Sequence, residues 1–157
     1  MKKSVYLDTS IPSYYYEERI ELTLRRKITQ QWWDEQSQNY DLHISEIVLM
    51  ELNRGVYPHK NEILNLVKEI SILDVPDEIN DIVQIYIARN IMPKKDPGDA
   101  SHLALASYHK IDFLLTWNCK NIANANKFEH IRLINTKLGL YIPQIVTPEL
   151  LFEEGDG

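Results

Sequence analysis

Short apolar runs alternate along this chain with longer stretches in which apolar positions recur every three or four residues. The short runs, at 5–7, 42–44, 71–73, 113–116 and 144–146, predict five strands. The first long stretch, 21–38, predicts a helix with Leu22, Ile28, Trp32 and Trp33 on its apolar face. Ser45 is placed to cap a second helix that Gly55 ends, and Pro58 stands near the start of a third reaching about 70. Pro76 opens a fourth, to about 90. Asp96 and Pro97 open a fifth, whose Ala100, Leu103, Ala104 and Ser107 lie on one closely packing face. A sixth spans 127–138. Strands alternating with helices predict an α/β layer fold with a mostly parallel sheet.

Composition narrows this to one ordinary globular domain. Of 157 residues, 44% are apolar and 25% charged, as in most soluble proteins. We read 1–150 as one domain and 151–157, LFEEGDG, as an acidic, frayed tail. The one cysteine, Cys119, has no internal partner, which favours a reducing compartment. No run approaches the ~20 apolar residues of a membrane span, and MKKSVYLDTS is no secretion signal. A cytoplasmic protein is expected. The net charge of −6 argues against broad, non-specific nucleic-acid binding. It leaves room for a nucleic-acid enzyme whose acids form its site. The basic groups at Arg25, Arg26 and Lys27, at Lys94 and Lys95, and at Lys120 and Lys127 read as solvated faces.

Three carboxylates stand where an apolar pattern does not call for one. Asp8 follows the first strand in SVYLDTS, at the sheet end where open α/β folds bind ligands. It could equally serve as a turn residue. Glu51 shares a helical stripe with Ile47 and Val48, so it needs a partner for its charge. Pairing with Arg54 or Lys60 at the stripe's edge is the plainer account. Asp96 fits a helix cap, and so does Asp99, although a helix N-terminus also presents a carboxylate beside N–H groups that favour phosphate. His102, three residues on, suits packing or a supporting hydrogen bond. If the three acids met at roughly 4 Å, each pair would cost about 4 kcal/mol at an effective dielectric near 20. A hard divalent cation with oxygen ligands is the simplest way to hold them.

Thr116, Asn118 and Asn121 follow the fourth strand and suit holding a water or a phosphate, or plain turn chemistry. Tyr14, Tyr15 and Tyr16 could stack on bases, but packing within the fold or a dimer surface is favoured. There is no glycine-rich phosphate loop and no G-x-S-x-G elbow, and the five histidines have no metal-ligand spacing.

In this order, strand-LDTS, S-x5-E on a helix, a D-x-x-x-x-A helix and strand-T-W-N resemble the PIN-domain family, which includes VapC-type toxins of toxin–antitoxin pairs. The resemblance runs from Ser4 through Asn126, and IVTPELL fits a branch of the family. It implies a three-layer α/β/α sandwich with a parallel sheet, and Mg²⁺- or Mn²⁺-dependent endoribonuclease activity. By position, Asp8, Glu51 and Asp99 match the family's acidic metal ligands, and Asn118 stands where a fourth acid is usual. That departure bears on how tightly a metal is held and whether a second one binds. Asn118 could still orient water as a catalytic residue. Asp112, at the other end of its strand, is too far to substitute, and Lys120 is the nearest cation for phosphate. The implied partners are an RNA substrate, a small antitoxin protein and a second copy of the chain.

Two other classes compete. A catalytically weak PIN-like module that grips RNA or a protein is motivated by Asn118. An aspartyl-phosphate phosphatase or receiver ranks last, because Ser10 stands where the phosphatase needs a second acid and no acidic pair precedes Asp8.

Overall fold

The computed structural model describes residues 1–153. Its strands are β1 (Ser4–Leu7), β2 (Asp41–Ser45), β3 (Ser71–Leu73), β4 (Phe113–Leu115) and β5 (Gln144–Val146). They form one sheet in the order β3-β2-β1-β4-β5, with every pairing parallel. The α-helices are α1 (Ser10–Tyr15), α2 (Thr23–Gln31), α3 (Glu46–Asn53), α4 (Lys60–Val67), α5 (Glu78–Ala88), α6 (Pro97–Tyr108) and α7 (Ala125–Leu138). Together they make the expected α/β/α sandwich. Parallel strands are covered on both faces, which is why β1 and β4 are apolar at successive positions. Val5, Tyr6, Leu7, Leu114 and Leu115 are fully buried.

The strand order positions the site. From β1 the chain steps outward through β2 to β3, then returns to lay β4 and β5 on the other side of β1. β1 and β4 therefore flank the point where the winding reverses, and the crevice beyond their carboxyl ends is where such sheets receive ligands. Leu7 pairs with Leu115, so Asp8 and Thr116 are the first residues past the ladder on either side.

The expected helix over 21–38 is shorter than its pattern. α2 stops at Gln31 and passes into a π-type turn, Trp32–Gln36, and a 3₁₀ turn, Ser37–Asn39. The adjacent tryptophans lie in that turn, Trp32 buried and Trp33 half-buried. The widened turn carries Trp32 fully inside, where its ring stacks on Tyr40 and its Nε1 donates to the carbonyl of Leu151 at 2.9 Å. That bond also places Leu151 in the core, with Phe152 packed against it, so the packed chain runs past 150. The remainder of the expected tail, 154–157, lies outside the described residues. α1 was not expected, being a single short turn with Pro12 inside it.

His59 ties the start of α4 to the segment that follows α1. It begins α4 with φ +64°, and its ring bonds Glu18 at 2.6 Å and Glu62. Hydrogen bonds to Glu62 and Glu18 raise its pKa above the usual imidazole value. A raised pKa contributes stability below the unfolded value of about 6.5 and loses it as pH rises through the folded value. His59→Asn keeps a side chain tolerant of positive φ and removes this dependence. The fall in Tm between pH 6 and pH 9 should therefore be smaller in the variant than in the wild type. An identical fall in both would show that the bridge contributes nothing.

Candidate active site

Asp8 lies one step beyond β1, and its N–H donates to Leu115 O at 3.2 Å, prolonging the ladder with β4. It is 3% exposed. Its Oδ1 accepts from the N–H of Ser10 at 3.0 Å and from the Ser10 hydroxyl, and its Oδ2 accepts from the Thr116 hydroxyl. Burial pushes its pKa up, opposed by the charge of His102 and by these hydrogen bonds. The turn reading of Asp8 is thus satisfied locally through Ser10, while Thr116 ties it to β4.

Glu51 sits on α3, half-buried. Its Oε1 accepts from His102 Nε2 at 2.7 Å and from the Thr9 hydroxyl at 3.1 Å, so neither Arg54 nor Lys60 is its hydrogen-bonding partner. Burial is the largest single influence on its pKa and acts upward. The bond and charge of His102, with Thr9 and Arg54, outweigh it and hold the carboxyl low. Space beside it is tight: a Cβ added at Gly98 would stand 3.3 Å from both Glu51 carboxylate oxygens. The missing side chain lets the first turn of α6 close over α3.

Asp99 belongs to that first turn. Its Oδ2 accepts from Asn121 Nδ2 at 2.9 Å, and burial raises its pKa against the hydrogen bonds of Asn121 and Asn118. A carboxylate only accepts, so this contact fixes which end of the Asn121 amide faces Asp99. The N–H of Asn121 in turn donates to Asn118 Oδ1 at 3.0 Å, which fixes the Asn118 amide as well. Asn118 therefore already uses its side-chain oxygen within the loop. Asp96 occupies the cap position of α6, but its side chain makes no capping bond.

Sequence reasoning missed the buried chain beneath these acids. Ser45, expected to cap α3, makes no side-chain cap bond; its hydroxyl turns inward to Tyr6 OH at 2.8 Å. Tyr6 OH also meets His102 Nδ1 at 2.7 Å, and His102 Nε2 reaches Glu51. Ser45, Tyr6 and His102 are at most 2% exposed. His102 is the hub: burial pushes its pKa down, but the bond to Glu51 and the charges of Asp8, Glu51 and Asp99 raise it overall. Tyr6 reads in the sequence as plain strand core, and only the polar tip of its ring hinted at more. Tyr6→Phe leaves Ser45 and His102 each short of a buried partner. It should cost about 1–3 kcal/mol in urea denaturation. A loss of under about 0.3 kcal/mol would mean the chain is not maintained in solution.

Above this chain opens a cleft of about 500 Å³. Glu51, Asp99, Asn118 and Asn121 line it, with Arg54 and Lys95 as its cations. Asp8 does not line it, and neither does Lys120, which is exposed. Asp112, as expected, is remote; it anchors the amino end of β1 through the N–H of Ser4 at 2.9 Å. The tyrosines pack internally: Tyr14 against Trp117, Tyr15 against Tyr16 and Trp33, and Tyr16 on His59. The donors suit a hard divalent cation in kind, being carboxylate and amide oxygens. Among the described residues, however, no three His, Cys, Asp or Glu side chains are close enough to enclose an ion.

The PIN domain family profile matches residues 5–119, well over half the chain. The chain belongs to the PIN-domain family, whose members are generally nucleases. The crystal structure of VapBC2 from Rickettsia felis bound to a DNA fragment from their promoter superposes with a TM-score of 0.53. It does so at 17% identity over 92% of this chain and 98% of its own, a likeness of fold. No curated protein sequence matches the chain. No helix among the described residues is long and apolar enough to cross a membrane.

Proposed function

We propose that this protein is a metal-dependent endoribonuclease and the toxin of a type II toxin–antitoxin pair. The observation that carries this reading is the cleft at the β1/β4 switch point, where Glu51 and Asp99 stand together in a PIN-family chain. Asp8, Glu51 and Asp99 are the proposed ligands of Mg²⁺ or Mn²⁺, which would have to draw the three carboxylates closer together than they stand. When bound, such a cation stabilises charge on a phosphoryl oxygen and acidifies a nearby water. The protein's own part is positioning. His102 and Thr9 orient Glu51, Asn121 orients Asp99, and Ser10 and Thr116 lock Asp8 to the ends of the sheet. Arg54 and Lys95 offer charge to the substrate phosphates at the cleft. A small antitoxin protein is the proposed partner, with VapBC2 as the structural parallel, and self-association into a dimer is proposed alongside it.

The test is cleavage of single-stranded RNA by purified protein. Activity should require Mn²⁺ or Mg²⁺, stop with chelator, and be absent from Asp8→Ala. Equal cleavage by that variant would assign the activity to a contaminant. A second reading, a PIN-like module that binds RNA or protein without cutting, draws on the open arrangement of the acids and on Asn118. Calorimetry separates the two. Mn²⁺ binding that is present in wild type and lost in Glu51→Gln excludes the binding module.

A further inference from the structure

Beside the cleft lies a second hollow of about 410 Å³, and Asn121 stands in the wall of both. Asn90, Met92, Pro93, Lys94 and Lys127 also line it. No carboxylate does, in a chain with 23 acidic residues against 17 lysines and arginines. Its two cations come from separate elements: Lys94 from the turn before α6, and Lys127 from the first turn of α7. Residues that read in the sequence as two unrelated solvated pairs are thus split by the fold, with one lysine of each facing a common cavity. Lys127 is half-buried, and its Nζ donates to the carbonyl of Asn121 at 3.1 Å. That holds it directly behind the residue that orients Asp99. Lys94 is exposed and makes no hydrogen bond among the described residues. Met92, 3% exposed, contributes an apolar wall.

We infer that this hollow is a substrate subsite seating the nucleotide next to the scissile phosphate of a single-stranded RNA, with Lys94 and Lys127 on the phosphate flanking that nucleotide. The inference rests on the nuclease reading above and adds where the strand runs. Lysine ammonium groups serve phosphate as point charges. The amide of Asn90 offers a donor and an acceptor to a base edge, and the apolar wall suits a base face. An acidic protein repels RNA over most of its surface, so two cations beside the acidic cleft select one approach. The shared wall of Asn121 makes the two cavities successive, as adjoining nucleotides require.

The test is fluorescence anisotropy of a short single-stranded RNA with the full chain, in chelator so that the strand stays whole, over 50–200 mM salt. Each phosphate contact on a single strand contributes a slope of about −0.7 in log affinity against log salt. Lys94→Ala, which removes no hydrogen bond, should already weaken the slope, and Lys94→Ala/Lys127→Ala should weaken it by about 0.7, the whole of one phosphate contact. Lys68→Ala/Lys137→Ala, two exposed lysines outside both cavities, should leave the slope unchanged. Mn²⁺ binding by calorimetry should be unaltered in Lys94→Ala, which assigns the effect to the RNA. Wild type that binds RNA with a slope indifferent to Lys94 and Lys127 overturns the subsite and leaves the nuclease reading standing. Wild type that neither binds nor cuts RNA overturns the nuclease reading, and the subsite falls with it.

Discussion

Glu51→Gln is expected to slow Mn²⁺-dependent RNA cleavage by about 10²–10⁴-fold, the range typical for loss of a charged or proton-transferring catalytic group. The substitution keeps the volume of the side chain, which matters because the first turn of α6 closes on it at Gly98. It also keeps an oxygen to accept from Thr9 and His102. What it removes is charge, in a half-buried place where charge interacts strongly. His102 should respond too: without the Glu51 carboxylate one cause of its raised pKa is gone, and that pKa should fall. The measurement is kcat for a defined single-stranded RNA, with circular dichroism to confirm an unaltered fold. Activity within tenfold of wild type at saturating Mn²⁺ would remove Glu51 from the site.

The second large effect concerns the fold. Trp32→Ala is expected to destabilise the protein by about 3–5 kcal/mol, as for other fully buried tryptophans. At about 2–4 °C per kcal/mol, Tm should fall by roughly 6–20 °C. Trp32 fills space beside Tyr40 and Trp33, and its Nε1 carries the bond that seats Leu151. Losing it opens a cavity and strands a carbonyl together. A fall of under about 2 °C would mean that the widened turn relaxes to refill the space. Trp32→Phe should lie between, keeping most of the volume and losing the hydrogen bond.

β1 and β4 were legible because they obey one local rule. A parallel strand covered on both faces must be apolar at consecutive positions, and 5–7 and 113–115 announce this without reference to the rest of the chain. The runs at 42–44, 71–73 and 144–146, nearer the sheet's edges, are short and each holds one polar residue. α3, α5, α6 and α7 were legible for a related reason, since the spacing of their apolar positions marks a helix within a local window. Where two bulky side chains competed for the interior, at Trp32 and Trp33, periodicity could not say which would win. The turn that resolves the conflict depends on Tyr40 and Leu151, which no local window contains. α1 escaped because a single turn leaves too little periodicity to read.

The site divides the same way. Asp8, Glu51 and Asp99 stood out in the sequence, because a carboxylate in an apolar setting breaks a pattern that hydrophobic burial otherwise enforces. Their supports did not stand out. Tyr6, Ser45 and His102 look like core, a helix cap and packing, and they become one buried chain only when β1, β2 and α6 are side by side. Lys94 and Lys127, 33 positions apart, likewise meet at one hollow only through the fold. The order of elements, the parallel sheet and the identity of the unusual acids were thus written locally, in burial and turn chemistry. Which polar groups face one another, which acid lines the cleft and which lies beneath it were decided by packing, because hydrogen bonds and charge pairs act across space between residues that the sequence keeps far apart.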